Sequence, residues 1–252
     1  ELSSSMDIGE HPAGLIGDIY AITNADSVRM FKNDRFVAEF AGSPYENMPH
    51  GPILIDDFVG NQLVEDGAVP EYAAPTVKEI LLAANRYGLQ TLPQEILEQM
   101  QQCEEQFGIT ETDFMSLYGR YIGNWGQKVT RYRFEAITDG KVVSVITRQP
   151  MKQVQLRLNP SHTNLTERHT YDVAAVRIEA RSDSGNLLPF YQEPVQLTVT
   201  GDIALIGPSL ISLKGGMGGT YVKSLGREGQ GTLTVSAPGA PDVIIDFQVS
   251  LA

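Results

Sequence analysis

Arg177-Ile178-Glu179-Ala180, Asp183-Ser184-Gly185-Asn186, Val195-Gln196-Leu197-Thr198-Val199, Gly215-Gly216-Met217-Gly218-Gly219 and Gly231-Thr232-Leu233-Thr234-Val235 follow one another at short intervals in the last third of the chain. The alternating pieces have the period of two that buries one face of a strand, and the Gly-, Asn- and Asp-rich breaks between them reverse the chain. Strands at this spacing predict a small antiparallel β-sandwich over residues 151–252.

Working toward the N-terminus, residues 129–138 and 141–147 flank Asp139-Gly140, the strongest short hairpin signal in the chain. Ile19-Tyr20-Ala21-Ile22-Thr23, Ser27-Val28-Arg29-Met30-Phe31 and Arg35-Phe36-Val37-Ala38-Glu39-Phe40 are again strand-like, the last two joined through Lys32-Asn33-Asp34. Asn and Asp tolerate the left-handed backbone of a tight turn. About three strands are too few for a sandwich of ~7. Residues 1–43 and 126–150 are therefore expected to form one β-domain, split by residues 44–125.

Within 44–125, an irregular stretch with Pro44, Pro49, Gly51 and Pro52 gives way to helical spacing. Pro75 precedes Val77, Ile80, Leu81, Ala84 and Tyr87, ended by Gly88. Thr91 with Gln94 reads as a capping box opening a second helix, whose stripe is Ile96, Leu97, Met100, Cys103 and Phe107 before Gly108. Thr110 with Asp113 starts a third, carrying Phe114, Leu117, Tyr118 and Tyr121 up to Gly123. Three helices, each closed by a glycine, are expected to form one unit.

The 252 residues exceed the ~150 expected of one domain and carry a formal charge of −12. Binding to nucleic acid or an anionic leaflet needs clustered Lys and Arg, so neither partner is expected. Arg131 and Arg133 are only two charges and read as solvated surface. No window approaches the ~20 apolar residues of a spanning helix, and the first residues lack the basic start and apolar run of a signal peptide. The start at Glu1 without an initiator methionine reads as a cut from something longer. The single cysteine, Cys103, excludes an intrachain disulfide and a multi-cysteine metal site and reads as a buried small hydrophobe.

No catalytic constellation can be placed. Asp56-Asp57 and Glu104-Glu105 are neighbours whose side chains diverge, so each reads as solvated charge. His11, His50, His162 and His169 lack metal-ligand spacing, and Gly207-Pro208-Ser209-Leu210-Ile211 departs from the nucleophile elbow at its last position. Gly215-Gly216-Met217-Gly218-Gly219 runs into Thr220-Tyr221-Val222, a strand rather than the helix a phosphate loop requires. Asn164-Leu165-Thr166 is a glycosylation triplet that matters only in a secretory setting. No metal and no cofactor is expected. Tyr45 and Trp125, at the two joins between the helical unit and its host, are the residues expected to meet sugar or an interface; sealing of that junction is favoured over a sugar-binding face. The same holds for Phe190-Tyr191.

The run Asp7-Ile8-Gly9-Glu10-His11-Pro12, followed by residues 19–34, resembles the segment after the catalytic barrel in bacterial β-galactosidases of glycoside hydrolase family 2, where an immunoglobulin-like domain begins. Asn33-Asp34 stands where that pattern has Asn-Gly. From Val173 through Asp183-Ser184-Gly185-Asn186, Pro189, Gly201, Ile206-Gly207, Gly215-Gly216 and Gly231 the chain is similar to the family's terminal immunoglobulin-like domain. The helical zone lies outside the resemblance. The implied fold is mainly β, with two immunoglobulin-like β-sandwich domains, the first interrupted by a small three-helix insertion.

The resemblance also implies an absence. Retaining hydrolysis in this family needs two carboxylates ~5 Å apart at the mouth of a (β/α)8 barrel. The family's acid/base sits in an Asn-Glu dipeptide, and this chain contains none. The expectation is a non-catalytic C-terminal region whose partners are the catalytic barrel of the same parent chain, a second copy in a homo-oligomer, or carbohydrate. The alternative is an independent carbohydrate-binding or adhesive module, which would require exposed coplanar aromatics or a calcium site.

Overall fold

The computed structural model describes the chain except for residues 5, 7–16, 44, 46, 49 and 124–129. It divides into two compact units, Glu1–Pro150 and Met151–Ala252. The chain is mainly β.

In the first unit, β1 (Ile19–Ala21), β2 (Ser27–Lys32) and β3 (Arg35–Ala41) come first, then β4 (Ile53–Ile55). The helices α1 (Gln62–Glu65), α2 (Ala74–Tyr87), α3 (Gln94–Phe107) and α4 (Glu111–Tyr121) follow, and β5 (Tyr132–Thr138) and β6 (Lys141–Arg148) close the unit. The order β3-β2-β5-β6 makes one antiparallel sheet, with Ser27 opposite Ile137 and Lys32 opposite Tyr132. Strands from both sides of the helical stretch thus share a sheet. Both of its hairpin turns use the left-handed backbone their residues allow: Asn33 and Asp34 at φ 49° and 66°, Asp139 and Gly140 at 49° and 72°.

β1 pairs instead with β4, so the stretch read as irregular before the helices contains a strand of the host. Ile19, Ile53 and Ile55 of this two-stranded sheet share one core with Val28, Met30, Tyr132 and Phe134 of the larger sheet and with Phe58, Leu63, Val77, Ile80, Leu81, Phe114 and Tyr121. The helical stretch is therefore one wall of the core. Asp57 shapes its entry: its Oδ1 accepts from the backbone N–H groups of Val59 at 2.9 Å and Gly60 at 2.8 Å. Gly60, at φ 58°, lies so close to the Val37 carbonyl that a Cβ would collide with it.

Four helices occur among the described residues where three are expected, because the short α1 lies ahead of the predicted set. The predicted boundaries of α2 and α4 are close to those observed. Thr110 and Asp113 do form a reciprocal capping box, but Thr91 does not cap α3. The N-cap there is Pro93, and the Thr91 hydroxyl donates to the Tyr87 carbonyl at the end of α2.

The second unit is a β-sandwich. One sheet has the order β12 (Leu210–Ser212), β10 (Pro194–Gly201), β14 (Gly229–Ala237), β15 (Ala240–Leu251), β8 (Asn164–Glu167). The other has β11 (Ile203–Ile206), β13 (Met217–Ser224), β9 (Val173–Ser182), β7 (Val154–Pro160). All pairings are antiparallel except β8, which lies parallel to β15. Alternate residues turn inward: Val195 and Leu197, Leu233 and Val235, Phe247 and Val249 from the first sheet, Ala174, Val176, Ile178 and Val222 from the second. Each large side chain buried this way contributes about 1.5–3 kcal/mol relative to exposure. Gly215 and Gly216, at φ 61° and 72°, form the two-residue turn into β13, bracketed by reciprocal backbone hydrogen bonds between Lys214 and Met217. The glycine cluster is a hairpin turn.

Candidate functional site

A partly buried polar cluster lies in the first unit, where the β2–β3 hairpin meets α1 and α4. The alternation that buries Val28 and Met30 continues to Lys32, which is only 5% exposed. Its Nζ donates to the carbonyl of Tyr121 and lies 5.9 Å from the Tyr132 ring centre. Burial pushes its pKa down to about 8. That carbonyl belongs to the last turn of α4, where the helix lacks internal donors and favours a cation.

Beside it, Asp66 gathers three partners. Its carboxylate accepts from Arg35 at 2.8 Å, Arg120 at 3.0 Å and the Tyr121 hydroxyl at 3.0 Å. Arg35 also reaches Glu65 at 2.6 Å. Burial alone would raise the Asp66 pKa, but the Tyr121 hydroxyl and the two guanidinium groups outweigh it and hold it below the usual range. Burial, reinforced by the hydrogen bond to Asp66, pushes Tyr121 up to about 12. The cluster fastens hairpin, α1 and α4 together. Its only near-neutral titrating group, Lys32, is enclosed and already bonded to a backbone carbonyl.

Several other partly buried carboxylates are likewise committed to cations or hydrogen-bond donors. Asp57 pairs with Lys78, and Asp172 with His162 at 3.3 Å. Glu179 takes Arg177 at 3.0 Å and Arg181 at 2.7 Å. Asp57 is thus held in place rather than solvated as its sequence context implies, whereas Glu104 and Glu105 are exposed as expected. Arg131 pairs with the well-exposed Asp34 and is solvated surface as expected, whereas Arg133 departs from it, lying 3.8 Å over the Phe31 ring beside Glu135. Among the described residues, no group of three or more His, Cys, Asp or Glu could hold a metal. Cys103 is buried, which raises its thiol pKa.

Tyr45 is about half exposed. It meets Tyr20, with ring centres 6.3 Å apart and planes tilted by 39°. The Tyr45 hydroxyl, and secondarily the charge of Asp18, raises the pKa of Tyr20. Trp125 and His11 lie outside the described residues. Tyr191 donates its hydroxyl to the Pro238 carbonyl at 3.2 Å. Sequence reasoning missed Lys32 and Asp66; the available signal was a lysine at the core parity of an otherwise regular strand.

The helical wall carries one further concavity. α2 packs against both α3 and α4, while α3 and α4 touch each other little. The groove left between them, about 290 Å³, is lined by Leu89, Leu92, Leu97, Met100, Phe114 and Met115 with Gln101, Glu104 and Glu111 at its polar rim.

No family model matches the chain. A solved β-glycosidase from Bacteroides vulgatus superposes on 99% of this chain with a TM-score of 0.55 at 14% identity, using 24% of its own length. A glycosyl hydrolase family 2 member from Bacteroides cellulosilyticus superposes on 96% at a TM-score of 0.53 and 11% identity, again over 24% of its length. The fold is therefore one found within glycoside hydrolases of this kind. Among curated proteins, a β-galactosidase of Rhizobium radiobacter is 35% identical over 128 residues, 48% of this chain and 86% of that protein. A β-galactosidase of Rhizobium meliloti is 31% identical over 105 residues, 38% of this chain but only 13% of that protein. The chain belongs to the β-galactosidase family.

Proposed function

We propose that this chain is the non-catalytic C-terminal region of a glycoside hydrolase family 2 β-galactosidase, built from immunoglobulin-like units that support a barrel supplied elsewhere in the parent. The observation that carries this reading is the asymmetry of coverage: nearly the whole chain superposes on 24% of a much larger β-glycosidase. The 13% of the Rhizobium meliloti β-galactosidase matched in sequence supports it. So does the use of the partly buried Asp66 and the buried Glu179 in ion pairs rather than in a facing acid/base pair. On this reading residues 1–43 and 126–150, together with β4 from the stretch between them, are the host domain, the helices α1 to α4 are its insertion, and 151–252 is the terminal domain. The helical wall, with Tyr72 and Tyr87 exposed, borders the parent's substrate entrance or a subunit contact.

The test has two arms. The isolated chain should not hydrolyse an aryl β-galactoside; turnover that survives repurification and is abolished by changing one Asp or Glu would overturn the non-catalytic reading. In the full-length enzyme, Tyr72→Ala with Tyr87→Ala should alter the ratio of kcat/KM for a longer galacto-oligosaccharide to that for a small aryl galactoside, or alter the oligomeric mass. If neither changes, the helical wall is only a buttress. A carbohydrate-binding module is the second reading, resting on the half-exposed Tyr45 beside a partly buried Tyr20 whose ring is tilted from it by 39° rather than coplanar; retardation of the chain in a galactan gel, lost in Tyr45→Ala, would establish it.

A further inference from the structure

We propose that the groove between α3 and α4 is a docking site for a basic amphipathic helix of a partner protein. Its apolar lining is already offered to solvent: Leu97 and Met115 are 45% and 40% exposed, unusual for large side chains facing one another across a concavity. Methionine adapts its shape to incoming side chains, and Met100 and Met115 sit on opposite walls. Two splayed helices with an apolar floor match the recognition mode in which a helix lays one face into a groove.

Charge selects the occupant. Between Arg86 and Arg120 the chain contains no Lys, Arg or His, but it contains Glu95, Glu98, Glu104, Glu105, Glu111 and Asp113. Every residue of the groove falls inside this run, and Glu104 and Glu111 stand on its rim. An acidic or neutral helix would bring no compensating charge to those carboxylates, whereas Lys or Arg flanking an apolar stripe would pair with them. A second copy of this chain is a poor occupant. Of its described helices, α1 and α3 have no basic residue, the cations of α2, Lys78 and Arg86, are engaged with Asp57 and Asp18, and Arg120 of α4 is engaged with Asp66.

The test uses a short fluorescent Leu/Lys amphipathic peptide and its Leu/Glu counterpart, read by anisotropy against the 252-residue chain. The Leu/Lys peptide should bind saturably, less tightly at high salt, and the Leu/Glu peptide should not bind. Met115→Asp is the deciding variant. Adhesion by charge alone would strengthen when an acid is added, whereas docking in the groove should weaken by about tenfold or more, the loss expected from one anchoring apolar contact. Leu97→Asp, on the facing wall and equally exposed, should behave alike, with circular dichroism verifying that both variants are folded. Binding unchanged or tightened by either substitution, equal binding of the Leu/Glu peptide, or no saturable binding would overturn the proposal. A concentration-dependent dimer abolished by Met115→Asp would assign the groove to a second copy and overturn it equally.

Discussion

Lys32 is the residue where chemistry and fold are most tightly joined. A lysine at the inward parity of a strand is costly to keep charged, and its pKa of about 8 against an ordinary 10.5 expresses that cost. Because the folded state holds the proton less tightly than the unfolded state, the unfolded state binds more protons between these values. Stability must then rise with pH across the window from about 8 to 10.5 and be independent of this group below it. The shift amounts to about 3 kcal/mol over the window. Lys32→Met removes the titration while keeping an apolar stem of similar length, so its urea stability should lack that rise. Circular dichroism at the helical band provides the signal, because the described helices all lie in the first unit. Parallel pH profiles for the two proteins would contradict the assignment. The level of stability in Lys32→Met is less informative than the slope, because the Tyr121 carbonyl also loses its donor.

At the scale of elements, the two threonine caps separate what local sequence can specify from what it cannot. Thr110-x-x-Asp113 forms its box because the N-cap residue is extended, at φ −80° and ψ 166°, and the Asp113 carboxylate reaches back to the Thr110 N–H at 2.9 Å. Thr91-x-x-Gln94 has the same spacing. There the left-handed Gly88 at φ 87° turns the chain back toward α2, and Thr91 spends its hydroxyl on the Tyr87 carbonyl. Pro93, at φ −58° and ψ 150°, takes the cap position instead. Thr110→Ala should therefore cost about 1 kcal/mol of stability in the first unit. Thr91→Ala should cost less, since an exposed hydroxyl bond to a helix end is replaced readily by water. Urea denaturation followed by circular dichroism at the helical band compares the two, and a larger loss for Thr91→Ala would refute this division of roles.

On the scale of the whole molecule, the second unit draws its sandwich from residues 151–252, with β14 at the centre of one sheet and β15 pairing β14 to the edge strand β8. Phe247, Leu165, Ile178 and Leu188 are all essentially inaccessible to water there. A unit with its own core is expected to fold alone. Residues 151–252 produced separately should unfold in one cooperative transition, followed by circular dichroism because this stretch contains no tryptophan. A gradual, non-cooperative loss of signal would mean that its core depends on the first unit.

Much of this architecture was legible in the chain itself. The period-two alternation of residues 173–251, the Asn33-Asp34 and Asp139-Gly140 turns and the Thr110 cap are local devices whose conformations depend on near neighbours. So were the charge of −12 and the single cysteine. What local pattern could not reveal was the partner of each element. The pairing of β1 with β4, the burial of Lys32 against the end of α4, the gathering of Arg35, Arg120 and Tyr121 on Asp66, and the stacking of Arg133 on Phe31 join residues distant in sequence. Only the tertiary structure decides these, because a charged side chain stays solvated until a packed core denies it water and offers a specific counter-group in exchange.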